Sequence, residues 1–437
     1  MYPNLYYLFK DLFGLDFAPL KIVNSFGFFV AIAFLAAAWT LTRELRRKQA
    51  DGLLTYTDTT ITVGEPASVT DLLLNFFLGF VLGYKILGIF LTDGALNNPQ
   101  VFIFSKAGSL PAGIVLGAFF AWLKWREKNK VKLAKPEKRN IRLWPSDRVG
   151  DVVIIAAAAG FLGAKVFDNL ENWDRFIQDP LGNLISPSGL TFYGGLICAT
   201  LALAYYFRKN KIPFIHICDA AAPALMLSYG MGRIGCQVSG DGDWGILNSA
   251  YVSDSAGKII PATGDMFSNA LQANSGFYTQ QFGSLNESHY TPFKAFMGLP
   301  DWFFAYTYPN NVNHEGVPIP GCTWGEYCNH LPLPVFPTPL YEIIACLILF
   351  GILWSIRKRI QLPGRLFAVY LILNGLERFF IEKIRVNTKY SIFGFHPTQA
   401  ELISSFLVLA GIILYVYAPK IKVPVFAAKT REDEAKP

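Results

Sequence analysis

Residues 188–245 read SGLTFYGGLICATLALAYYFRKNKIPFIHICDAAAPALMLSYGMGRIGCQVSGDGDWG. An apolar run ends in the basic turn RKNK, and a second apolar run follows it. The glycine-rich GMGRIG at 230–235 is expected to end that run's helix and to let the backbone come close to a bound group. It carries Arg233, and Asp241, Asp243 and Trp244 follow shortly after. An arginine at the edge of hydrocarbon costs roughly 2.5–3.5 kcal/mol on insertion scales, which makes it a functional-site candidate by default. Apolar runs joined by basic turns point to a chain that crosses a bilayer, with its chemistry at one end of the bundle.

Composition agrees. Of 437 residues, 52% are hydrophobic, 15% aromatic and only 16% charged, whereas soluble domains carry about 25% charge. The runs are continuous rather than alternating at period two, which argues against a β-barrel. The expected class is an all-α polytopic membrane protein with nine transmembrane helices, each run approaching the ~20 apolar residues a bilayer requires. They are placed at 22–42, 72–92, 110–125, 152–170, 189–207, 217–231, 340–356, 366–384 and 398–416.

The net charge of +7 is not spread as on a nucleic-acid-binding surface. Basic residues cluster at 43–48, 124–142, 208–211, 357–359 and 420–422, all at the ends of apolar runs. With the first cluster in the cytoplasm, alternation through nine spans puts every other cluster there too. The N-terminus then lies outside and the C-terminus inside. The N-terminal residues show no basic n-region and no small-residue cleavage site, so no removable signal peptide is expected. Residues 427–437 are charged and expected to be disordered.

The stretch from 232 to 339 falls outside by this topology and is long enough for a small subdomain. It contains Cys322 and Cys328. In an oxidising compartment the two could form a disulfide; alternatively they stay free. No CxxC or histidine pair completes a metal site around them. Cys198, Cys218 and Cys346 lie in apolar runs and read as packing residues.

An internal repeat is present. SVTDLLLNFFLGFVLGYKILGIF from Ser68 aligns with RVGDVVIIAAAAGFLGAKVFDNL from Arg148, matching Asp71 to Asp151, Gly83 to Gly163 and Lys85 to Lys165. After a one-residue shift, GSLPAGIVLGAFFAWLKWREKNK continues into GLTFYGGLICATLALAYYFRKNK. Each copy is a pair of spans in the same orientation. The chain therefore divides into a first helix (1–50), an extra helix pair (68–133), a second pair with the glycine-rich segment (148–245), an outer loop subdomain (246–336), C-terminal helices (337–418) and a cytoplasmic tail (419–437).

Three groups of residues carry chemistry. The planar fork of Arg233 suits a phosphate, against the plainer reading of an interfacial arginine reaching headgroups. In GLERFFIEKIRVN, Arg378, Glu382 and Arg385 share one helix face. Glu382 would orient Arg378 while both arginines supply positive potential; a packing salt bridge is the alternative. PTPLYE (337–342) and HPTQAE (396–401) open the later spans on the outer side. His396 reads as an interfacial residue rather than a base, and Lys165 either binds phosphate or reaches for the interface.

These motifs in this order resemble the bacterial prolipoprotein diacylglyceryl transferase family. The resemblance runs through SGLTFYGGL, the block from 215 to 241, PTPLYE, ERFFIEKIR and the final Gln399-containing span, with NSFG at 24–27 as a weaker match. It implies a seven-span core enzyme of the cytoplasmic (inner) membrane, here extended by the extra pair. Its members move the diacylglyceryl group of phosphatidylglycerol to the lipobox cysteine of prolipoprotein signal peptides and release glycerol phosphate. Neither a cofactor nor a metal is implied, and no nucleic acid. By motif position the resemblance assigns catalysis to Arg233, Arg378 and Glu382, with Asp241 in the place of the family's glutamate; Tyr193 or Asp241 is the candidate to relay the thiol proton. Substrate binding falls to Arg233, Gly194, Gly195, Gly240, Gly245, Lys165, Arg385 and Gln399.

Three departures matter. FYGGL has Tyr193 where the family has a histidine often proposed as base. Cys236 stands for the usual asparagine after GRIG. Asp241 replaces a glutamate, and one extra residue precedes Trp244–Gly245. Tyr193, with a reference pKa of about 10, is a poor base unless perturbed. A thiol of pKa about 8.5 beside arginines needs little help to ionise. Two other readings are a transporter built on duplicated helix pairs and an inactive relative that only binds lipoproteins.

Overall fold

The computed structural model describes residues 1–421 except 97, 187, 188, 190, 255–256, 286–288, 388–389 and 391–394. Lys422 of the last basic cluster and the tail expected to be disordered lie outside the described residues. Sixteen α-helices follow in chain order: α1 (Leu5–Phe13), α2 (Ser25–Ala50), α3 (Val69–Leu82), α4 (Gly88–Leu91), α5 (Pro99–Phe104), α6 (Leu110–Lys130), α7 (Val149–Glu171) and α8 (Trp173–Gln178). Then come α9 (Pro180–Ile185), α10 (Phe192–Lys209), α11 (Phe214–Ser239), α12 (Met266–Ala273), α13 (Ser275–Phe282), α14 (Thr338–Ile356), α15 (Arg365–Glu382) and α16 (Gln399–Tyr417).

Among the described residues, six helical segments are long and apolar enough to cross a membrane: Ser25–Ala50, Val69–Leu91, Pro145–Glu171, Phe214–Ser239, Thr338–Ile356 and Gln399–Lys420. The fold is thus a helical, multi-pass membrane architecture. The other three expected runs are also helices, α6, α10 and α15. Their composition sets them apart. The second half of α6 is basic, α10 ends in Arg208–Lys209, and α15 carries Arg365, Glu377, Arg378 and Glu382. The expectation of an all-α chain is corrected by short two-stranded sheets, of which β1 (Thr57–Val63) and β2 (Glu137–Leu143) form the longest.

The chain folds as two units. One takes residues 17–22 and 45–214 and contains both copies of the repeat. In the first copy, α3 continues through a π-helical turn (Gly83–Leu87) and α4, packing on α6. Gly79 faces the Leu116 carbonyl, which an added Cβ would approach to 2.5 Å, and Gly83 lies as tightly on the Ala112 carbonyl. In the second copy α7 packs on α10, and a Cβ at Gly194 would come within 2.7 Å of the Gly163 carbonyl. Close backbone approach through small residues is how helices associate where lipid supplies no hydrophobic drive. The repeat-matched lysines also act alike. Lys85 Nζ donates to the carbonyls of Ser105 (2.5 Å) and Ala107 (2.7 Å), and Lys165 Nζ to that of Gly189 (3.3 Å). Both tie down the connection that leads into the second helix of their pair.

The other unit takes residues 1–16, 23–44 and 215–424. Its central helix, α11, runs unbroken from Phe214 through GMGRIG to Ser239, longer at both ends than the expected 217–231. GMGRIG therefore does not end the helix. Its glycines serve packing: Gly230 abuts Cys346 of α14, and Gly235 abuts Phe26 and Phe29 of α2, with 2.9 to 3.3 Å left for a Cβ. Termination falls to Gly240, at φ +65°, whose N–H donates to the Cys236 carbonyl at 2.9 Å. Near the other end, buried Asp219 accepts the N–H groups of Gly364 (2.9 Å) and Phe367 (3.0 Å), satisfying donors that the start of α15 leaves open.

The segment from Trp244 onward to the start of α14 is a folded subdomain with its own core, in which Trp244, Leu247, Tyr278, Tyr308, Leu333 and Val335 are buried. It contains the disulfide Cys322–Cys328. Tyr7 of α1 stacks on Trp324 at 4.5 Å, fastening the N-terminal helix to this loop.

Candidate active site

The site grows from three chain segments sewn together at one end of α11. The Gly245 N–H donates to the Phe336 carbonyl (2.8 Å), that of Ile246 to the Ile384 carbonyl (2.9 Å), and the Thr338 hydroxyl to the Asp243 carbonyl (2.7 Å). Gly245 must be small, because a Cβ there would sit 2.5 Å from the Ile384 carbonyl. These bonds bring the turn after α11, the start of α14 and the chain just beyond α15 into register. Three arginines converge as a result.

Glu342, in the first turns of α14, is their hub and is fully buried. Its carboxylate lies 3.0 Å from Arg233 Nε, 3.3 Å from an Arg378 terminal nitrogen and 3.7 Å from one of Arg385. Tyr229, one turn before Arg233, donates its hydroxyl to the same carboxylate at 2.8 Å. Arg378 also pairs with Glu382 at 3.0 Å, and the Asn387 amide holds the far side of Glu382 at 2.6 Å. Arg233 and Arg385 meet again on Asp243. One carboxylate oxygen pairs with Arg233, and the other lies 2.5 Å from Arg385. Three guanidiniums so face three carboxylates, a network expensive to bury except where each charge has a partner.

Charge states follow at the turn. Burial alone would push the Asp243 carboxyl up, but the Arg233 and Arg385 charges outweigh it and hold it below the usual range. Asp241 goes the other way: burial, reinforced by the Asp243 charge, favours its neutral form. Burial works against the charge of Arg385, yet Asp243 and Glu342 more than offset it, so its proton is held more tightly than usual. Cys236, Asp241 and Asp243 bring metal-ligand-type atoms within 4.8 Å of one another. Asp243 is already committed to two guanidiniums there, and Cys236 Sγ lies 3.8 Å from Arg233.

Beside the network opens a cavity of about 340 Å³, lined by Asp243, Arg385 and Asn387 on one side and by Trp244, Phe277 and Tyr278 on the other. A second, of about 160 Å³, is lined by Glu382, Arg385, His396 and Glu401.

Of the residues singled out in the sequence, Arg233, Arg378, Glu382 and Arg385 share this network, with Asp241, Gly240 and Gly245 on the adjoining turn. Gln399 stands exposed at the first position of α16 and lines neither cavity. Tyr193, Gly194, Gly195 and Lys165 belong to the α7–α10 pair. Gly194 and Gly195 face the carbonyls of Gly163 and Gly160, and Tyr193 is half-buried beside Phe192. Sequence reasoning missed Glu342 as the hub and Asp243 as a bridge. The signals were present: a carboxylate opening an apolar run in PTPLYE, and the residue added before Trp244–Gly245.

The chain matches the prolipoprotein diacylglyceryl transferase model over residues 109–417. It belongs to the prolipoprotein diacylglyceryl transferase family. The match takes in α6 and every later helix, and leaves α2 and α3 outside. A phosphatidylglycerol–prolipoprotein diacylglyceryl transferase of Corynebacterium glutamicum is 27% identical over 295 residues, covering 65% of this chain and 75% of the relative. One of Dehalococcoides mccartyi is 24% identical over 300 residues, 69% of this chain and 84% of its own. A third, phosphatidylglycerol–prolipoprotein diacylglyceryl transferase 2 of Clostridium perfringens, is 24% identical over 281 residues, 63% of this chain and 80% of its own.

Proposed function

We propose that this protein transfers the diacylglyceryl group of phosphatidylglycerol to the lipobox cysteine of prolipoproteins, the first step of lipoprotein maturation. The observation that carries the reading is the trio Arg233, Arg378 and Arg385 gathered on Glu342 at the end of an apolar helix, in a chain of this family. The cysteine sulfur forms a bond to the terminal glycerol carbon of the diacylglyceryl group. The bond from that carbon to the phosphate oxygen breaks, its electron pair leaves with glycerol phosphate, and the thiol proton passes to an acceptor.

Negative charge grows on the leaving phosphate, and fixed cations in a water-poor site stabilise that change best. Arg233 takes this role first and Arg378 second, the latter oriented by Glu382 at 3.0 Å. Asp241 is the proposed proton acceptor on the turn, with Tyr193 as the alternative. Gly240 and Gly245 shape the turn, and Arg385 adds potential for the headgroup. Gly194, Gly195, Lys165 and Gln399 are assigned to substrate binding on the family resemblance.

The proposed setting is the bacterial inner membrane, crossed nine times, with the N-terminus and the 246–336 subdomain outside and the C-terminus in the cytoplasm. Basic clusters at alternate ends support this orientation, as does the disulfide, a bond of oxidising compartments. The test is complementation of a transferase-depleted bacterium, scored by growth and by a lipoprotein mass increase of one diacylglyceryl group. Normal membrane expression with neither growth nor modification would rule the reading out. Within it, Tyr193→Phe separates a proton role from packing.

A further inference from the structure

The arginines that suit a phosphate are already occupied. Asp243 bridges Arg233 and Arg385 with one oxygen on each, the same two-point geometry by which a phosphodiester accepts from guanidinium groups. Charge counting sharpens the point. Arg233, Arg378 and Arg385 are matched one for one by Asp243, Glu342 and Glu382, so the network has no positive charge to offer an anion. Asp241, the proposed proton acceptor, adds no positive charge to this count. The carboxylate of buried Glu377, which has no hydrogen-bond partner among the described residues, would if ionised only deepen the deficit.

The three carboxylates differ in freedom. Glu342 and Glu382 are fully buried on helices, whereas the Asp243 side chain is one-third exposed and borders the 340 Å³ cavity. Asp243 sits on a turn with glycines at 240 and 242, both at positive φ (+65° and +96°), and its own carbonyl is held by the Thr338 hydroxyl, so the group free to swing is its side chain.

We propose that Asp243 is a stand-in for the substrate's phosphate. Its carboxylate holds Arg233 and Arg385 in place until the phosphodiester of an anionic lipid headgroup displaces it toward the cavity. Withdrawal of Asp243 removes one negative charge from Arg233 and Arg385, which favours a phosphodiester monoanion over a zwitterionic headgroup of no net charge. Asp243 is thereby a specificity-determining residue, on the turn that is one residue longer before Trp244–Gly245. The inference rests on the transferase reading above.

The test is steady-state transfer to a precursor peptide from phosphatidylglycerol vesicles. It compares the wild type with D243N, D243S and D243E, with free glycerol phosphate and inorganic phosphate as competing anions. If the stand-in is removed, the competent fraction rises, and the apparent KM for phosphatidylglycerol should fall at least about threefold in D243N and D243S. The inhibition constant for glycerol phosphate should fall in parallel, and D243E should stay near wild type. An unchanged or raised KM with lowered kcat would make Asp243 a strut for the arginines and overturn the proposal. So would failure of both neutral variants to fold. A fall confined to inorganic phosphate would assign the position to a free anion and overturn the headgroup assignment. Absence of transfer by the wild type itself would count against the enzymatic reading instead.

Discussion

Glu342 is the residue on which the site depends most. It is fully buried and holds Arg233, Arg378 and Arg385 at 3.0 to 3.7 Å. Removing one partner of a buried ion pair leaves an uncompensated charge and costs about 3–5 kcal/mol. Glu342→Gln should therefore lower the thermal midpoint in detergent by several degrees as well as abolish transfer; wild-type stability would contradict the hub assignment. Asp243 makes a pH-dependent contribution of definite sign. Its folded-state pKa lies below its unfolded value of about 3.9, so the stability it adds is present above that value and lost as pH falls through the lowered one. The stability gap between wild type and D243N should be open at pH 7 and close in acid below about pH 4. Arg233 was legible from its surroundings alone, since a cation beside hydrocarbon advertises itself. Glu342 and Asp243 were not, because a carboxylate shows its partners only once three distant segments are joined.

At the level of elements, glycine did two different jobs that look alike in sequence. Gly230 and Gly235 lie inside α11 and admit α14 and α2, while Gly240, at positive φ, ends the helix. Apolar surroundings favour continuation, because a broken helix would leave backbone groups unsatisfied in lipid. GMGRIG therefore misled as a helix stop, and the span ran eight residues past the expected 231 to Ser239. The paired helices of the repeat were legible, since period and aligned glycines survive in the sequence. Gly83→Val should drive α3 off α6, because any Cβ there collides with the Ala112 carbonyl; overpacking costs about 1–3 kcal/mol or more. Gly150→Ala, with nothing within 4 Å of its Cβ, should be neutral or better. Thermal melting of the two variants separates them, and equal stability would refute the close-packing account.

For the whole molecule, the membrane class and the helical runs could be read from composition and hydropathy. A subdomain after the glycine-rich turn was expected from the length of that segment, but its architecture could not be read, because its core is assembled from short, irregular pieces without a period. Its disulfide closes a small loop, Cys322 to Cys328, and loop-closure entropy values such a link at about 2–3 kcal/mol. Replacing both cysteines by serine should loosen that loop, read as faster proteolysis near Trp324 in intact spheroplasts. Protection from protease added outside would contradict the proposed orientation. The proposed role of the arginine network is to stabilise the negative charge that leaves with glycerol phosphate. The most direct measurement is mass spectrometry of a purified precursor peptide incubated with the protein in phosphatidylglycerol vesicles. The wild type should add one diacylglyceryl group to the cysteine, and Arg233→Ala should slow that addition at least about a hundredfold. Near-normal transfer by Arg233→Ala, or no mass gain with the wild type, would contradict the account.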